Sequence, residues 1–381
     1  MKTFRNKIAA GIAAAAVLIS FAVCYAAYVG HEDDRDIAAF LKAYPAAKGT
    51  SLDSCALCHR DGNVPDPDKP GKTKYINACD YCHVVSWQGK KPYKESLNKF
   101  GLAYLAAGRN AAAFKKIATK DSDGDKFTNA AEIAKGAMPG DANSNPNLKA
   151  APSVSFTLEQ LKKIANVEQT IFMSSTKSKS GDTYNDYGGV RLIDVLKKAG
   201  MSKNADSVDV ISVDGYTKTF KIDELEKLYK QGAPVFGLGV KELGDCGWVH
   251  YNSSKLAAGQ PLPPANIIIA FEENGKLMDP SVFNKADGRI IGDGPYRVIT
   301  PQTKNDPPDL PEHADPSCAS KVPEANRFHT DYDHNAGNAT RATVAIRINP
   351  LPKGTRDFDW EKNGWDYIAK KSIIVFGNLT K

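Results

Sequence analysis

Short apolar stretches separated by turn residues dominate the second half of the chain. In "VDVISVDGYTKTFKI", apolar and polar residues alternate on both sides of Asp214-Gly215, which predicts a β-hairpin. The stretch "NIIIAFEENGKLM" predicts a strand that turns at Asn274-Gly275. Further strands are predicted within "GPYRVITP", "ATVAIRINP" and "SIIVFGN".

Helical spacing of apolar residues occurs in two places. In "YGGVRLIDVLKKAG", it predicts a short helix that contains Val190 and Leu196 and ends at Gly200. The apolar steps of three and four residues over residues 96–120 predict one or two helices. Residues 140–153, "GDANSNPNLKAAPS", have the composition of a linker. The expected fold class is therefore α+β, with a small, mostly helical domain over residues 30–150 and a mixed α+β domain over residues 151–381.

Residues 301–340 form a long tract that is rich in Pro, Asp and Asn and shows neither helical nor strand periodicity. Irregular tracts of this length are usually functional or disordered. Three of the seven histidines, His313, His329 and His334, lie within it. We therefore treat the tract as a source of functional side chains.

The first 29 residues have a basic start and a long apolar run from Ile8 to Val29. This pattern is typical of a secretory signal peptide, and the run is also close to the length of an uncleaved membrane anchor. Both interpretations place most of the chain in an oxidising compartment. The net charge of +6 falls to +3 without Lys2, Arg5 and Lys7, which is too weak a bias to indicate a nucleic-acid partner.

Two C-x-x-C-H motifs stand close together, the pattern that indicates covalent attachment of c-type haem. Two thiols three residues apart can bond to the two vinyl groups of one porphyrin, and the following histidine becomes an axial ligand of the iron. A redox-active disulfide, a structural zinc site and disulfide staples are the alternatives, and the repetition of the complete motif favours haem. The expected haem-binding residues are Cys55, Cys58 and His59 for one haem, and Cys79, Cys82 and His83 for the other.

The segment between the two motifs is short and rich in turn residues, so both haems should lie within range of fast electron exchange. The distal iron ligands are less well defined. His31 and Met138 are candidates near the motifs. We also expect the tract of residues 301–340 to fold back over the haems. The distal candidates outside the motif region are His329 and His334, which we favour, and His250 and His313.

A second metal site is predicted in "DSDGDKFTNAAE", residues 121–132. Oxygen ligands occur at the alternate positions of an EF-hand-like calcium loop, although Lys126 stands where a glycine is usual. A solvated acidic turn is the alternative, and Asp141 is a possible further ligand. The expected calcium ligands are Asp121, Asp123, Asp125, the carbonyl of Phe127, Asn129 and Glu132.

Cys246 and Cys318 are the remaining cysteines beyond the N-terminal segment. In an oxidising compartment we expect them to form a disulfide that ties the irregular tract to the second domain. The alternative is that Cys246 and His250 are metal ligands, although two ligands do not complete a site.

Residues 50–150 resemble dihaem c-type cytochromes of metal-reducing bacteria, in which two C-x-x-C-H motifs precede a helix, an "SDGD…N…E" calcium loop and a "PGD" turn. Residues 153–302 resemble the molybdopterin-binding fold of the sulfite oxidase family. The whole is similar to dihaem proteins marked by a Gly-Glu-Gly-Pro motif, here Gly292-Asp293-Gly294-Pro295. In the sulfite oxidase family a cysteine upstream of the "GGV" helix binds molybdenum. Here that stretch has no cysteine, so we expect the fold without the metal.

These patterns predict an exported electron-transfer protein with two c-type haems and one Ca²⁺. The second domain would dock a partner or cover the haems. Expected partners are other redox proteins, such as multihaem cytochromes or quinone-linked donors. The expected location is the periplasm or outer surface of a Gram-negative bacterium, with possible anchoring to the inner membrane. The alternatives are a haem- or molybdopterin-dependent reductase and a structural component of an electron conduit.

Overall fold

The computed structural model describes residues 35–59, 62–65, 73–76, 97–177, 179–284 and 289–380. Within these residues, no helix has both the length and the apolar character needed to cross a bilayer. The predicted signal peptide or anchor lies outside the described residues, as does the second C-x-x-C-H motif. The mixed α+β fold class is confirmed.

The described part of residues 35–148 contains four short helices and one antiparallel pair of short strands. The helices are α1 (Arg35–Ala43), α2 (Lys99–Ala106), α3 (Ala111–Lys116) and α4 (Asn129–Ala134), and the strands are β1 (Gly62–Pro65) and β2 (Thr73–Ile76). The prediction of one or two helices over residues 96–120 is confirmed, because Gly108 and Arg109, both at positive φ, separate α2 from α3. Asn110 then caps α3 by accepting a hydrogen bond from the Ala113 amide.

A small aromatic core holds these helices together. The ring of Phe114 stacks on Tyr104 at a centroid distance of 4.0 Å and meets Phe40 edge-on at 5.3 Å. Leu57, which precedes Cys58 of the first C-x-x-C-H motif, is buried in the same cluster. The motif is thus fixed to the core of this part of the chain by its own apolar residue.

Two larger sheets form the rest of the fold. Their strands are β4 (Ser153–Thr157), β5 (Asn166–Met173), β6 (Asp182–Arg191), β7 (Ser207–Ser212), β8 (Thr217–Lys221), β9 (Val249–Tyr251), β10 (Ile268–Glu273), β11 (Lys276–Leu277), β14 (Arg297–Ile299), β15 (Thr343–Asn349) and β17 (Ser372–Gly377). One sheet has the strand order β4-β17-β15-β7-β8. The other has the order β11-β10-β6-β5, with β14 paired to β10 and β9 paired to β6. The pair β12 (Val282–Asn284) and β13 (Arg289–Ile291) forms a separate ribbon.

Five short helices accompany the sheets, and one apolar cluster joins the two sheets. The helices are α5 (Leu158–Lys162), α6 (Leu192–Ala199), α7 (Ile222–Glu226), α8 (Val240–Leu243) and α9 (Gly364–Ala369). Helix α6 contributes Ile193 and Leu196 to the cluster, beside Ile269 of β10 and Ile346 of β15. The junction between the two parts of the chain is held by the short strands β3 (Lys149–Ala150) and β16 (Thr355–Arg356), which pair in parallel.

The predicted hairpins are present at both turn signals. Strands β7 and β8 pair around Asp214-Gly215, and β10 and β11 pair around Asn274-Gly275, where both residues adopt positive φ. Gly200 ends α6 in the left-handed conformation, as expected. One assignment was wrong: Val190 lies in β6 rather than in the helix. It pairs with Asn166 of β5 and Ile269 of β10, so strand pairing on both sides extends β6 to Arg191.

The tract of residues 301–340 is packed on the second domain and contains short 3₁₀ turns, at Pro316–Lys321, Glu324–Asn326 and Asn335–Asn338. Cys318 forms a disulfide with Cys246, the pairing that the sequence predicted. Asn335 is fully buried, and its side chain bonds to the Ser174 amide and to the carbonyls of Phe172 and Thr300. The tract is therefore fixed by side-chain hydrogen bonds and the disulfide, which take the role that regular secondary structure has elsewhere in the fold.

Candidate functional site

The first C-x-x-C-H motif lies in a 3₁₀ turn, Cys55–Leu57, at the edge of the aromatic core. Cys58 is half-buried and packs against that core, and His59 is half-buried and forms a bridge with Leu97. The second motif, Cys79, Cys82 and His83, lies outside the described residues. The structure therefore describes the surroundings of one of the two expected haem sites.

Asn98 clamps the first motif to the start of helix α2. Its backbone amide donates to the Cys58 carbonyl at 2.8 Å, and its side-chain Nδ2 donates to the Leu57 carbonyl at 3.0 Å and the Ala56 carbonyl at 3.3 Å. Its Oδ1 accepts from the Gly101 amide at 2.8 Å, so the same side chain caps α2. Nothing in the spacing of the motif predicted this contact, because Asn98 is 40 or more residues away in the chain.

Helix α2 lies directly against the motif at Gly101. A Cβ atom at this position would stand 2.3 Å from the Cys58 carbonyl oxygen, a distance that no side chain can occupy. Leu105 lies one turn further along on the same side of α2 and is 37% exposed, and Leu102 is 42% exposed. Helix α2 thus carries two exposed apolar side chains within about one turn of the glycine that contacts the motif.

Residues 121–132 form a tight acidic loop after helix α3. Oxygen atoms of Asp121, Asp123 and Asp125 lie within 4.8 Å of one another. Asp121 accepts from the Gly124 amide at 2.7 Å and the Lys126 amide at 2.9 Å, which curls the backbone around the three carboxylates. Lys126 adopts a φ of 81°, the left-handed conformation that a glycine usually supplies at this position.

Glu132 closes the loop from the first turn of helix α4. The side chain is 0% exposed, and neither carboxylate oxygen has a hydrogen-bond partner among the residues that the structure describes. Burial, and then the negative charges of Asp123, Asp125, Asp121 and Asp141, raise its pKa to about 9. Burial likewise raises the pKa of Asp123 to about 6. Three clustered carboxylates with a buried glutamate whose pKa their charges raise are an arrangement that a divalent cation would stabilise.

The other predicted ligands have different surroundings. Asn129 is fully buried, its Nδ2 donates to the Ile117 carbonyl at 2.7 Å, and its Oδ1 accepts from the Ser122 amide at 3.2 Å. It therefore fastens both ends of the loop, with one lone pair of Oδ1 already engaged. The Phe127 amide donates to Asp125 at 2.9 Å, and its carbonyl as a ligand stays a prediction.

The predicted distal histidines His329 and His334 have partners within the tract of residues 301–340 itself. His334 Nε2 lies 3.0 Å from Oδ1 of the buried Asp309, and the ring packs on Phe328. His329 Nε2 lies 3.2 Å from the Glu324 carbonyl, and its ring stacks on Tyr332.

The remaining distal candidates have different positions. His250 and His313 are exposed, whereas His31 lies outside the described residues. Met138 packs against the aromatic core that also holds Cys58. Among the distal candidates in the described part of the chain, Met138 is thus the one that shares an apolar cluster with the first motif.

The stretch upstream of Gly188-Gly189, where the resemblance predicts the molybdenum-binding loop, contains serines and a buried acid. The Ser174 amide donates to Asn335, and the Ser175 amide donates to Asp182 at 2.8 Å. A nearby cleft of about 120 Å³ is lined partly by Phe172 and Gln302, and none of its described lining residues is a cysteine, lysine or arginine. The cleft is smaller than typical cofactor sites and offers neither a thiolate for the metal nor a cation for a phosphate, so the molybdopterin group does not fit it.

Asp182 is a buried acid whose titration can be tested directly. It is 0% exposed, and burial raises its pKa well above 3.8, with a further contribution from Asp309. The stability that this proton contributes is complete below pH 3.8 and is lost as pH rises through the raised pKa. We expect Asp182→Asn to gain stability relative to the wild type as pH rises, by about 1.4 kcal/mol per pH unit within that window.

Urea unfolding of both proteins between about pH 4 and pH 8 measures this difference. Asp245→Asn, at an exposed position, is the control. The difference in free energy of unfolding between this variant and the wild type should not change with pH. A flat difference for Asp182→Asn as well would show that this carboxyl titrates at its ordinary pKa.

Comparison with known proteins does not assign this chain to a family. No family model matches it, and no curated protein is significantly similar to it.

Proposed function

We propose that this chain is an exported electron-transfer protein that carries two covalently bound c-type haems and one calcium ion. The observation that carries the proposal is the pair of C-x-x-C-H motifs at residues 55–59 and 79–83. His59 and His83 are the proposed proximal ligands. A bound haem supplies one-electron chemistry, and the protein sets its axial ligands and the polarity of its surroundings.

The apolar surface beside Cys58 supports a bound porphyrin. Leu102 and Leu105 are large exposed apolar side chains on a helix whose Gly101 touches the motif. Water contact of such side chains is unfavourable by roughly 25 cal/mol per Å², and a flat apolar ring attached to Cys58 would cover part of this surface. His329 and His334 are the proposed distal ligands, and Met138, which packs against the same core, is a further candidate for this haem.

Residues 30–150 are proposed to form a small, mostly helical cytochrome domain. Helices α1 to α4 have only six to nine residues each, lengths at which helices are marginal without tertiary support. Covalent haem and a bound cation would add links between them. Such a domain reaches its full stability only when both groups are present.

Calcium is the proposed occupant of the acidic loop. The proposed ligands are all oxygen atoms, which suits a hard cation, and the three clustered aspartates repel one another and Glu132 without a compensating charge. Asp141 lies close enough to raise the pKa of Glu132 and is a proposed further ligand or outer-shell partner. The proposed role is structural.

The second domain is proposed to dock another redox protein or to cover the haems, without molybdenum. The described lining residues of the cleft beside Phe172 include neither a cysteine nor a histidine. The proposed partners are other haem proteins or quinone-linked donors in the periplasm or at the cell surface. No nucleic-acid partner is proposed.

The covalent haem content tests the proposal. Protein exported in a host that matures c-type cytochromes should have the mass of the mature peptide plus two haems. Metal analysis should find two iron atoms for each calcium, from two motifs and one loop. Cys58→Ser and Cys82→Ser should each lower the amount of correctly attached haem, because each removes one of the two thioether bonds to one haem.

The matched control is the double variant Cys246→Ser/Cys318→Ser, which changes cysteines outside the motifs and should retain both haems. A colourless wild-type product with the mass of bare peptide would overturn the proposal. Two six-coordinate, low-spin haems would support electron transfer, whereas a five-coordinate iron that binds carbon monoxide would favour catalysis at the haem.

A further inference from the structure

The first C-x-x-C-H motif and the acidic loop share one physical support. Lys99, the first residue of helix α2, donates from Nζ to the backbone carbonyl of Asp123 at 2.9 Å. Its neighbour Asn98 makes the three hydrogen bonds to Cys58, Leu57 and Ala56 described above. Two consecutive residues therefore form hydrogen bonds to the first motif and to the acidic loop, which are more than 60 residues apart in the chain.

A second contact links Asn98 to the segment that follows the acidic loop. A Cβ atom at Gly140 would stand 2.6 Å from the side chain of Asn98, so the turn that contains Gly140 is packed on the clamp. The next residue is Asp141, whose charge acts on Glu132. A change of the loop on cation binding thus reaches Asn98 through Lys99 and through the Gly140 turn.

Helix α2 has little freedom to absorb such a change locally. Gly101 is in contact with the Cys58 carbonyl, while Phe100 and Tyr104 are buried in the aromatic core. In a close-packed region, a displacement at the start of the helix must shift the residues that are packed against it, because no empty space is available to absorb the movement. The peptide that carries Cys58 and His59 must then move together with the first residues of α2.

We infer that Asn98 and Lys99 are positioning residues that couple divalent-cation binding in the loop to the environment of the first haem. This inference rests on the proposed function. Coupling between two sites is reciprocal: if calcium changes the reduction potential of the haem, reduction changes the calcium affinity by the corresponding factor. Calcium would therefore set the potential of the first haem as well as the stability of the domain.

Lys99→Met and Asn98→Ser separate this coupling from simple stability. Lys99→Met keeps an unbranched side chain of similar length and removes the bond to Asp123. Asn98→Ser keeps an oxygen that can cap α2 and removes the amide that donates to Leu57 and Ala56. Lys116→Met, at an exposed lysine in the last turn of α3, matches the charge change of the first variant.

The experiment measures calcium affinity by titration calorimetry on the full-length holoprotein, once oxidised and once chemically reduced. The expected wild-type result is at least about a fivefold difference between the two states, the lower end of typical coupling. Lys116→Met should retain this difference. In Lys99→Met and Asn98→Ser it should fall below about twofold, with both haems still attached.

Equal affinities in the two states of the wild type, with haem and calcium both bound, would overturn the inference and leave the proposed function intact. Retention of the full difference in both clamp variants would also overturn it, since the coupling would then act through space from the charge of the ion. Absence of haem by mass, or of calcium binding in either state, would instead overturn the proposed function itself.

Discussion

Glu132→Gln is expected to abolish the stabilisation of the protein by calcium while leaving the calcium-free protein folded. Glu132 is the proposed bidentate ligand, because both of its carboxylate oxygens are buried and have no hydrogen-bond partner in the described part of the chain. Replacing an outer-shell residue of a metal site already costs 10- to 100-fold in affinity, so loss of this ligand should lower calcium affinity by about 100-fold or more.

Without calcium, Glu132→Gln should be more stable than the wild type rather than less stable. Without a cation, the pKa of Glu132 is about 9, against 4.5 for an ordinary glutamate. The stability associated with this raised pKa is present below pH 4.5 and is lost as pH rises through about 9. Glutamine resembles the protonated acid at every pH. In the presence of a chelator, the variant should therefore become more stable than the wild type as pH rises.

Thermal unfolding with calcium and with a chelator, across this pH range, measures both effects. Glu159→Gln is the matched control, because Glu159 is an exposed glutamate in the first turn of another short helix, α5. It should leave the calcium response unchanged. If Glu132 has a purely structural role, Glu132→Gln should lose stability both with calcium and with the chelator. This outcome would exclude Glu132 as a calcium ligand.

The features that could be predicted from the sequence are those encoded within a few residues. The hairpin at Asn274-Gly275 follows from two residues that tolerate positive φ, and both adopt it. The acidic loop is also local, since its carboxylates come from twelve consecutive residues. Even the strain at Lys126 was predictable, because one position of such a loop needs a left-handed residue.

The features that could not be predicted depend on contacts between distant residues. Asn98 reaches the first motif from 41 residues away in the chain, and Asn335 bonds to the end of β5 from more than 160 residues away. A lone asparagine has no periodicity that would mark it as buried. The misassignment of Val190 has the same origin, because pairing with β5 and β10 outweighed its helical spacing.

The tract of residues 301–340 illustrates both limits. The prediction that the tract forms neither long helices nor strands was correct, and the predicted disulfide between Cys318 and Cys246 is present. Its packing on the second domain through Asn335 had no signal in the sequence, because the partners of this side chain are backbone groups of Phe172, Ser174 and Thr300. The role of its histidines as distal ligands stays a prediction.

Gly101→Ala is expected to destabilise the first domain and to lower haem attachment at Cys55 and Cys58. The added Cβ atom would stand 2.3 Å from the Cys58 carbonyl oxygen, and both groups belong to the backbone, so no side-chain rotation relieves the clash. Overpacking of this kind typically costs about 1–3 kcal/mol. Alanine is a better helix former than glycine by about 1 kcal/mol, so a net loss of stability would show that the close contact outweighs helix propensity.

Gly337→Ala provides the matched control, since a Cβ atom at Gly337 would meet nothing within 4 Å. The measurements are urea unfolding of both variants and haem content by mass. Gly101→Ala should separate α2 from the motif and break the bonds of Asn98 to it, so its product should contain a larger fraction of chains with a single haem. Equal haem content and equal stability in the two variants would mean that α2 does not lie against Cys58. The contact that supports the first haem site, and the coupling that we infer through Asn98, would then both be lost.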